Sequence, residues 1–202
     1  MSKKENEIYL IAGTIPLKAQ DEGKVLNTTL AFDPKGDRIG RYDKIQLFGF
    51  QTNTERYQES ETIEAGEVPS LLKISIGQEL WTFGLSICYD LRFPVFARNV
   101  EDYDVLIYVV NWPKPRINAW DILLKARAVE NMSYAIGVNR IGMDENELEY
   151  VGHSQAVDFL GNYLLEPQET DGVFIVELDK EKLLETRSKL AFLEDKDQFR
   201  LL

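Results

Sequence analysis

The apolar positions of this chain follow two rhythms, one close to two residues and one close to three and a half. Ile8 to Ile15 is apolar almost throughout, relieved only by Ala12 and Gly13, and predicts a buried strand. Pro16 to Lys24 is polar and predicts a loop around Gly23. Val25 to Phe32 predicts the next strand, and Arg38 to Tyr42 its hairpin partner. Asp33-Pro34-Lys35-Gly36-Asp37 between them is a turn sequence, in which Pro presets φ and Gly permits a positive φ. Gly49 to Val68 is polar and aromatic without periodicity, and predicts a long loop.

Leu71 to Ile76 alternates and predicts a strand, as does Leu80 to Ile87. Asp104 to Val110 is nearly continuous in apolar residues, the pattern of a strand covered on both faces. Asn118 to Met132 carries Trp120, Leu123, Leu124, Ala128 and Val129 at helical spacing. Tyr134 to Val138 predicts a further buried strand. Gln155 to Leu160, then Gly161-Asn162, then Tyr163 to Leu165 predicts a hairpin. Val173 to Leu178 predicts a strand, and Asp179 caps a last helix from Lys180 to Ser188. Strands alternate with helices in mid-chain and pair as hairpins near the ends. That mixture predicts a layered α/β domain with a mixed sheet or two stacked sheets. No repeat, low-complexity stretch or linker divides the chain, so residues 1–202 read as one domain.

Composition narrows the chemistry. The chain has 202 residues, of which 44% are hydrophobic and 28% charged, a globular balance. Its net charge of −11 disfavours nucleic acid as a partner, because an acidic surface repels phosphate. No apolar run approaches the ~20 residues that span a bilayer. Met1 to Glu7 is charged and lacks the apolar core of a signal peptide. One cysteine excludes an internal disulfide, and a cytoplasmic location is expected.

That one cysteine, Cys88, closes the apolar run Leu80 to Ile87 and opens the polar segment Tyr89-Asp90-Leu91-Arg92-Phe93-Pro94. A strand that breaks into a turn at this point lifts a side chain above the sheet edge and aims backbone N–H groups at it. A buried structural cysteine fits the same local pattern. His153, the sole histidine, lies in Gly152-His153-Ser154 at the start of a strand and reads as a hydrogen-bonded structural residue. With one Cys and one His, no Cys/His zinc constellation is possible. If Cys88 is a nucleophile, a carboxylate or a lysine must serve it. Lys44, Glu59, and the helical trio Arg127, Glu130 and Asn131 are the polar candidates.

Several segments together resemble the carbon–nitrogen hydrolase (nitrilase-like) superfamily. Tyr42-Asp43-Lys44-Ile45-Gln46-Leu47-Phe48 resembles its lysine motif, and Gly84 to Pro94 its nucleophile motif. Arg127-Ala128-Val129-Glu130-Asn131 is similar to its post-nucleophile helix. Gly152-His153-Ser154 and Asp158-Phe159-Leu160-Gly161 resemble its late signatures, with Phe159 where Pro is customary. Val110-Asn111-Trp112-Pro113-Lys114-Pro115-Arg116 and the ending Asp195 to Leu201 are similar to the omega-amidase branch, which acts on 2-oxoglutaramate and 2-oxosuccinamate.

The resemblance implies a layered α-β-β-α sandwich, a homodimer, a small-molecule amide substrate, and neither metal nor organic cofactor. It implies that Cys88 attacks the amide carbon and forms a thioester that water then hydrolyses. Lys44 and the Tyr89 N–H are the implied oxyanion donors, and Glu59 the carboxylate that orients the lysine. Asn111, Trp112, Arg92 and Arg116 are the implied substrate contacts, with either arginine suited to a bidentate carboxylate pair or to a structural ion pair.

The family's general-base glutamate belongs to a strand–helix–strand–helix unit that would precede Ile8. The sandwich is therefore expected to be N-terminally incomplete, with Met1 to Glu7 as the tail of a helix and neither Glu5 nor Glu7 in the base motif. Three readings stay open: an active omega-amidase, an inactive or split fragment that needs another chain, and another branch such as a carbamoylase, nitrile hydrolase or acyltransferase.

Overall fold

A computed structural model describes residues 8–53 and 56–197. Strands β1 (Leu10–Lys18), β2 (Val25–Phe32) and β3 (Arg38–Asp43) form an antiparallel meander. The turn between β2 and β3 closes as its sequence requires: Asp33 accepts the Lys35 and Asp37 N–H groups, and Gly36 sits at φ 92°. β4 (Gly49–Gln51) and β5 (Arg56–Gln58) make a short ribbon. β6 (Ile63–Glu64) pairs in parallel with β2.

The second sheet is larger. It contains β7 (Ser70–Ile76), β8 (Glu79–Ile87), β9 (Val105–Val110), β10 (Tyr134–Asn139), β13 (Ser154–Val157) and β14 (Tyr163–Gln168), in the order β14-β13-β10-β9-β8-β7. β8, β9 and β10 are mutually parallel, and the outer strands are antiparallel. β11 (Ile141–Met143) and β12 (Glu149–Val151) form a separate ribbon. Helix α1 (Ile117–Glu130) makes the crossover from β9 to β10, and α2 (Lys180–Lys189) follows β14.

The period of two along β9 explains the layers. Val105 and Ile107 pack with Ala31 and Ile11 of the smaller sheet and with Phe83 and Tyr134 of their own, filling the space between sheets. Leu106, Tyr108 and Val110 point the other way, onto Trp120, Leu124 and Ala128 of α1. A strand covered on both faces must read as continuously apolar, and this one does. The expected layered α/β architecture is therefore present: sheet on sheet, with α1 over the outer face. Gly137 of β10 admits α1 closely, since a Cβ there would lie 2.3 Å from the Trp120 ring.

Several expectations need correction. The first strand is not a buried one and runs past Pro16 to Lys18, with Leu10 and Ile15 more than a third exposed. The segment 49–68 is not one loop, because it contains β4, β5, a 3₁₀ turn (Glu59–Glu61) and β6. These strands of two or three residues pair locally, and Phe50 stacks on Tyr57, at a length too short for periodicity to register. β11 and β12 escaped prediction for the same reason. Residues 173–178 form no strand, and Val173 and Ile175 are 92% and 89% exposed. A β-favouring sequence is a strand only with a ladder partner. The helix cap holds: Asp179 accepts the Lys182 N–H at 2.8 Å. Met1 to Glu7, with Glu5 and Glu7, and Gln198 to Leu201 of the terminal motif lie outside the described residues. Among the described residues, no helix is long and apolar enough to cross a membrane.

Candidate active site

The elbow at the end of β8 is real. Ile87 is extended, at φ −124° and ψ 117°, whereas Cys88 turns to φ 49° and opens a 3₁₀ turn through Arg92. A positive φ on a residue with a Cβ is strained, and such residues cluster at functional sites. The turn is held from both ends. Asp90 accepts the Ile87 N–H at 2.8 Å, and Arg127 of α1 donates to the Leu91 carbonyl at 2.5 Å while pairing with Glu130 at 2.9 Å. Asn131, the third member of that trio, instead accepts the Asn99 N–H, bracing the segment beyond the elbow.

Cys88 is partly exposed. Parallel pairing of β8 with β9 sets Ile87 beside Val109, so the residues just past each strand end together. The Cys88 thiol accordingly reaches the Asn111 carbonyl at 3.9 Å. Lys44, just past β3, is 1% exposed, and its ammonium lies 2.5 Å from Glu59 Oε2. The same carboxylate oxygen accepts the Phe48 N–H at 2.7 Å, which ties the lysine segment to the 3₁₀ turn at Glu59. Burial pushes the Cys88 thiol up from its ordinary pKa. Lys44 pulls against that, and Glu59 adds to the rise. Tyr57 and Tyr150 are also near enough to feel the thiolate charge.

The structure thus brings Cys88, Lys44 and Glu59 into one electrostatic cluster. Tyr89 packs edge-on against Phe48 and Phe93. Trp112 is buried, with its indole N–H donating to the Arg116 carbonyl at 2.7 Å. The Arg116 guanidinium lies 5.1 Å from the centre of the Phe48 ring, and that of Arg92 lies 5.2 Å from Trp112. Asn111 is exposed, and it is its backbone carbonyl that meets the thiol. His153 belongs elsewhere, as a structural residue: Asp121 of α1 holds its Nδ1 at 2.9 Å, and Glu169 lies 3.4 Å from its Nε2. Phe159 fills its altered motif position as core, edge-on to Tyr134. Among the described residues, no group of three His, Cys, Asp or Glu side chains could hold a metal ion. A cavity of about 480 Å³ between Ser70, Ser86, Phe96 and Tyr103 does not include the cluster.

Sequence reasoning passed over Asp90 and Tyr42 as chemistry, although both stand inside the quoted motifs. Tyr42 donates to Asp90 Oδ2 at 2.7 Å in the buried floor beneath the cluster. An acidic residue three positions after a strand's last residue, where it can accept that residue's N–H, was the signal available for Asp90.

Comparison with known proteins bears on this arrangement. Residues 1–188 match the family model described as carbon-nitrogen hydrolase. Omega-amidase YafV of Escherichia coli strain K12 is 37% identical over 193 residues, which cover 95% of this chain and 70% of that protein. The 2-oxoglutaramate amidase of Paenarthrobacter nicotinovorans is 36% identical over 172 residues, covering 84% of this chain and 56% of that protein. Among solved structures, a CN-hydrolase superfamily protein of Xanthomonas campestris, with an arsenic adduct in its active site, superposes with a TM-score of 0.79. It is 36% identical and covers 94% of this chain and 70% of that one.

Proposed function

The chain belongs to the carbon–nitrogen hydrolase family, and on that premise we propose that it cleaves the terminal amide of a small 2-oxo acid through a thioester on Cys88. The observation that carries this reading is the Cys88–Lys44–Glu59 cluster: a strained, partly exposed thiol that burial pushes above its ordinary pKa and that a buried, Glu59-paired lysine pulls back toward ionisation. The names of two relatives, an omega-amidase and a 2-oxoglutaramate amidase, support this choice of substrate class.

The chemistry follows from the charges. The Cys88 sulfur adds to the amide carbon, and the carbonyl oxygen becomes an oxyanion. Lys44 supplies the positive charge that stabilises it, together with the Tyr89 backbone N–H at the start of the turn. The carbon–nitrogen bond breaks, and the proton given up by the thiol departs on ammonia. Water then adds to the thioester, the carbon–sulfur bond breaks, and a carboxylic acid and the free thiol result. Asn111 and Trp112 border the acyl group, and Arg92 and Arg116 supply positive charge for the substrate's own carboxylate.

One observation favours a second reading, in which a separate polypeptide contributes the base. The two carboxylates that act on the thiol are both engaged: Glu59 by Lys44 and the Phe48 N–H, Asp90 by three donors. Ammonia release from 2-oxoglutaramate tests both readings. Steady release that is lost in Cys88→Ala supports the first. A single acylation event without turnover supports the second. Release that survives Cys88→Ala overturns both.

A further inference from the structure

Asp90 is fully buried at the base of the elbow, and its carboxylate meets three donors from two separate parts of the chain. Oδ2 accepts the Ile87 N–H at 2.8 Å and the Tyr42 hydroxyl at 2.7 Å, and Oδ1 accepts the Gln46 N–H at 3.1 Å. Ile87 directly precedes the nucleophile. Tyr42 and Gln46 stand two residues to either side of Lys44. Both oxygens act as acceptors: burial pushes the Asp90 carboxyl up from its ordinary pKa, and the bonds from Tyr42, Ile87 and Gln46, with the Lys44 charge, pull back toward the ionised form. Burial and the adjacent carboxylate hold the Tyr42 phenol far above its ordinary pKa, so it remains a donor.

We propose that Asp90 is a positioning residue that fixes the Lys44 ammonium against the Cys88 sulfur by clamping the elbow to both flanks of the lysine. This rests on the reading of Cys88 and Lys44 as nucleophile and activating cation. The Tyr42 hydroxyl extends the clamp, since it also accepts the Ile45 N–H at 3.4 Å, next to Lys44. Bonds to a charged acceptor are also the strong kind, so the clamp is stiff where a loop joins a strained turn. A displacement of about 1 Å between reacting groups can cost about a hundredfold in rate.

The geometry makes a prediction of sign that a bystander charge does not share. As a mere nearby anion, Asp90 opposes ionisation of Cys88, so neutralising it would lower the pH at which the thiol reacts. As a clamp, its loss lets Lys44 drift, and the reactive pH rises. The experiment is the rate of iodoacetamide alkylation of the single thiol against pH, in the wild type, D90N, Y42F and D90N/K44M, with melting temperature alongside. It reads the thiol directly, so it is independent of whether the protein releases ammonia from any amide.

The expected result is a midpoint raised by about one pH unit in D90N, a tenfold loss of thiolate below it, and a smaller rise in Y42F. In the K44M background D90N should give no further rise, because the two substitutions act through one interaction. A midpoint that falls in D90N, or a Y42F protein with native melting and an unshifted midpoint, overturns the proposal. If D90N does not fold, Y42F decides alone, since it keeps the charge and removes one of the three bonds.

Discussion

The Lys44 ammonium, 1% exposed, sits 2.5 Å from Glu59 Oε2, fifteen residues away in sequence. A buried lysine is tolerated only when a partner offsets its desolvation, and removing that partner typically costs about 3–5 kcal/mol. Glu59 therefore does two things to Cys88 that oppose each other: it holds the helpful cation in place, and it adds a nearby anion.

The direct charges give the first prediction. Thiolate forms as pH rises, and burial sets the Cys88 midpoint above the ordinary thiol value of about 8.5. Lys44→Met removes the lowering cation and should move the alkylation midpoint higher still. Glu59→Gln removes a raising anion while keeping a polar partner for Lys44, and should move it lower. Alkylation rates between about pH 6 and 10 distinguish the two, and equal shifts of one sign would show that the thiol does not sense these groups separately.

Substrate choice gives the second. Lys114 pairs with Glu149, Arg41 with Asp43 and Arg56 with Glu61, whereas Arg116 rests on the Phe48 face. Phe48 in turn bonds Glu59, which places Arg116 one ring from the cluster. A hydrogen bond to a charged group contributes about 1.5–3 kcal/mol, roughly ten- to a hundredfold in binding. Arg116→Gln should raise KM for 2-oxoglutaramate by that factor and leave a neutral short-chain amide nearly unchanged. Arg92, more exposed over Trp112, should give a smaller effect. Parallel losses on both substrates would exclude carboxylate recognition.

What could be read from the sequence divides by range. The elbow was legible because Ile87, Cys88 and the polar run after it are adjacent, and the Asp179 cap because its partner is three residues on. The Lys44–Glu59 pair came only from resemblance to a family, since nothing local relates a strand end to a 3₁₀ turn. The Tyr42–Asp90 bond spans 48 positions, and no periodicity carries it. Val173 to Leu178 failed in the other direction: its composition favours a strand, but strand formation is decided by a neighbour that propensity cannot supply.

Packing gives the third prediction. Alanine at Gly137 would put its Cβ 2.3 Å from Trp120 Cζ2 and 2.9 Å from Leu124. Both partners are fully buried and cannot swing aside. Gly137→Ala should destabilise by about 1–3 kcal/mol through overpacking, read as a lower midpoint in urea with an unchanged slope. An unaltered midpoint would mean that α1 can lift from β10 at little cost.

Val173 and Ile175 give the last. They are 92% and 89% exposed, in a segment with no ladder partner among the described residues. Among the described residues β1 pairs with β2 alone, so its other edge has no ladder partner there, and Leu10 and Ile15 on it are more than a third exposed. Pro16 removes one donor from that strand, which blunts the edge but does not close it. Unpaired edges and exposed alternating apolar residues are the features that drive chains to pair with one another. Charge on the exposed face is the usual remedy, because like-charged strands do not stack. The double substitution Val173→Lys/Ile175→Lys should therefore lower light scattering at a given protein concentration. Neither side chain is packed, so the melting temperature should hold, as surface changes usually stay within about 0.5 kcal/mol. Scattering that persists would place the sticky surface elsewhere, and a fall in melting temperature would show that these side chains are packed in solution after all.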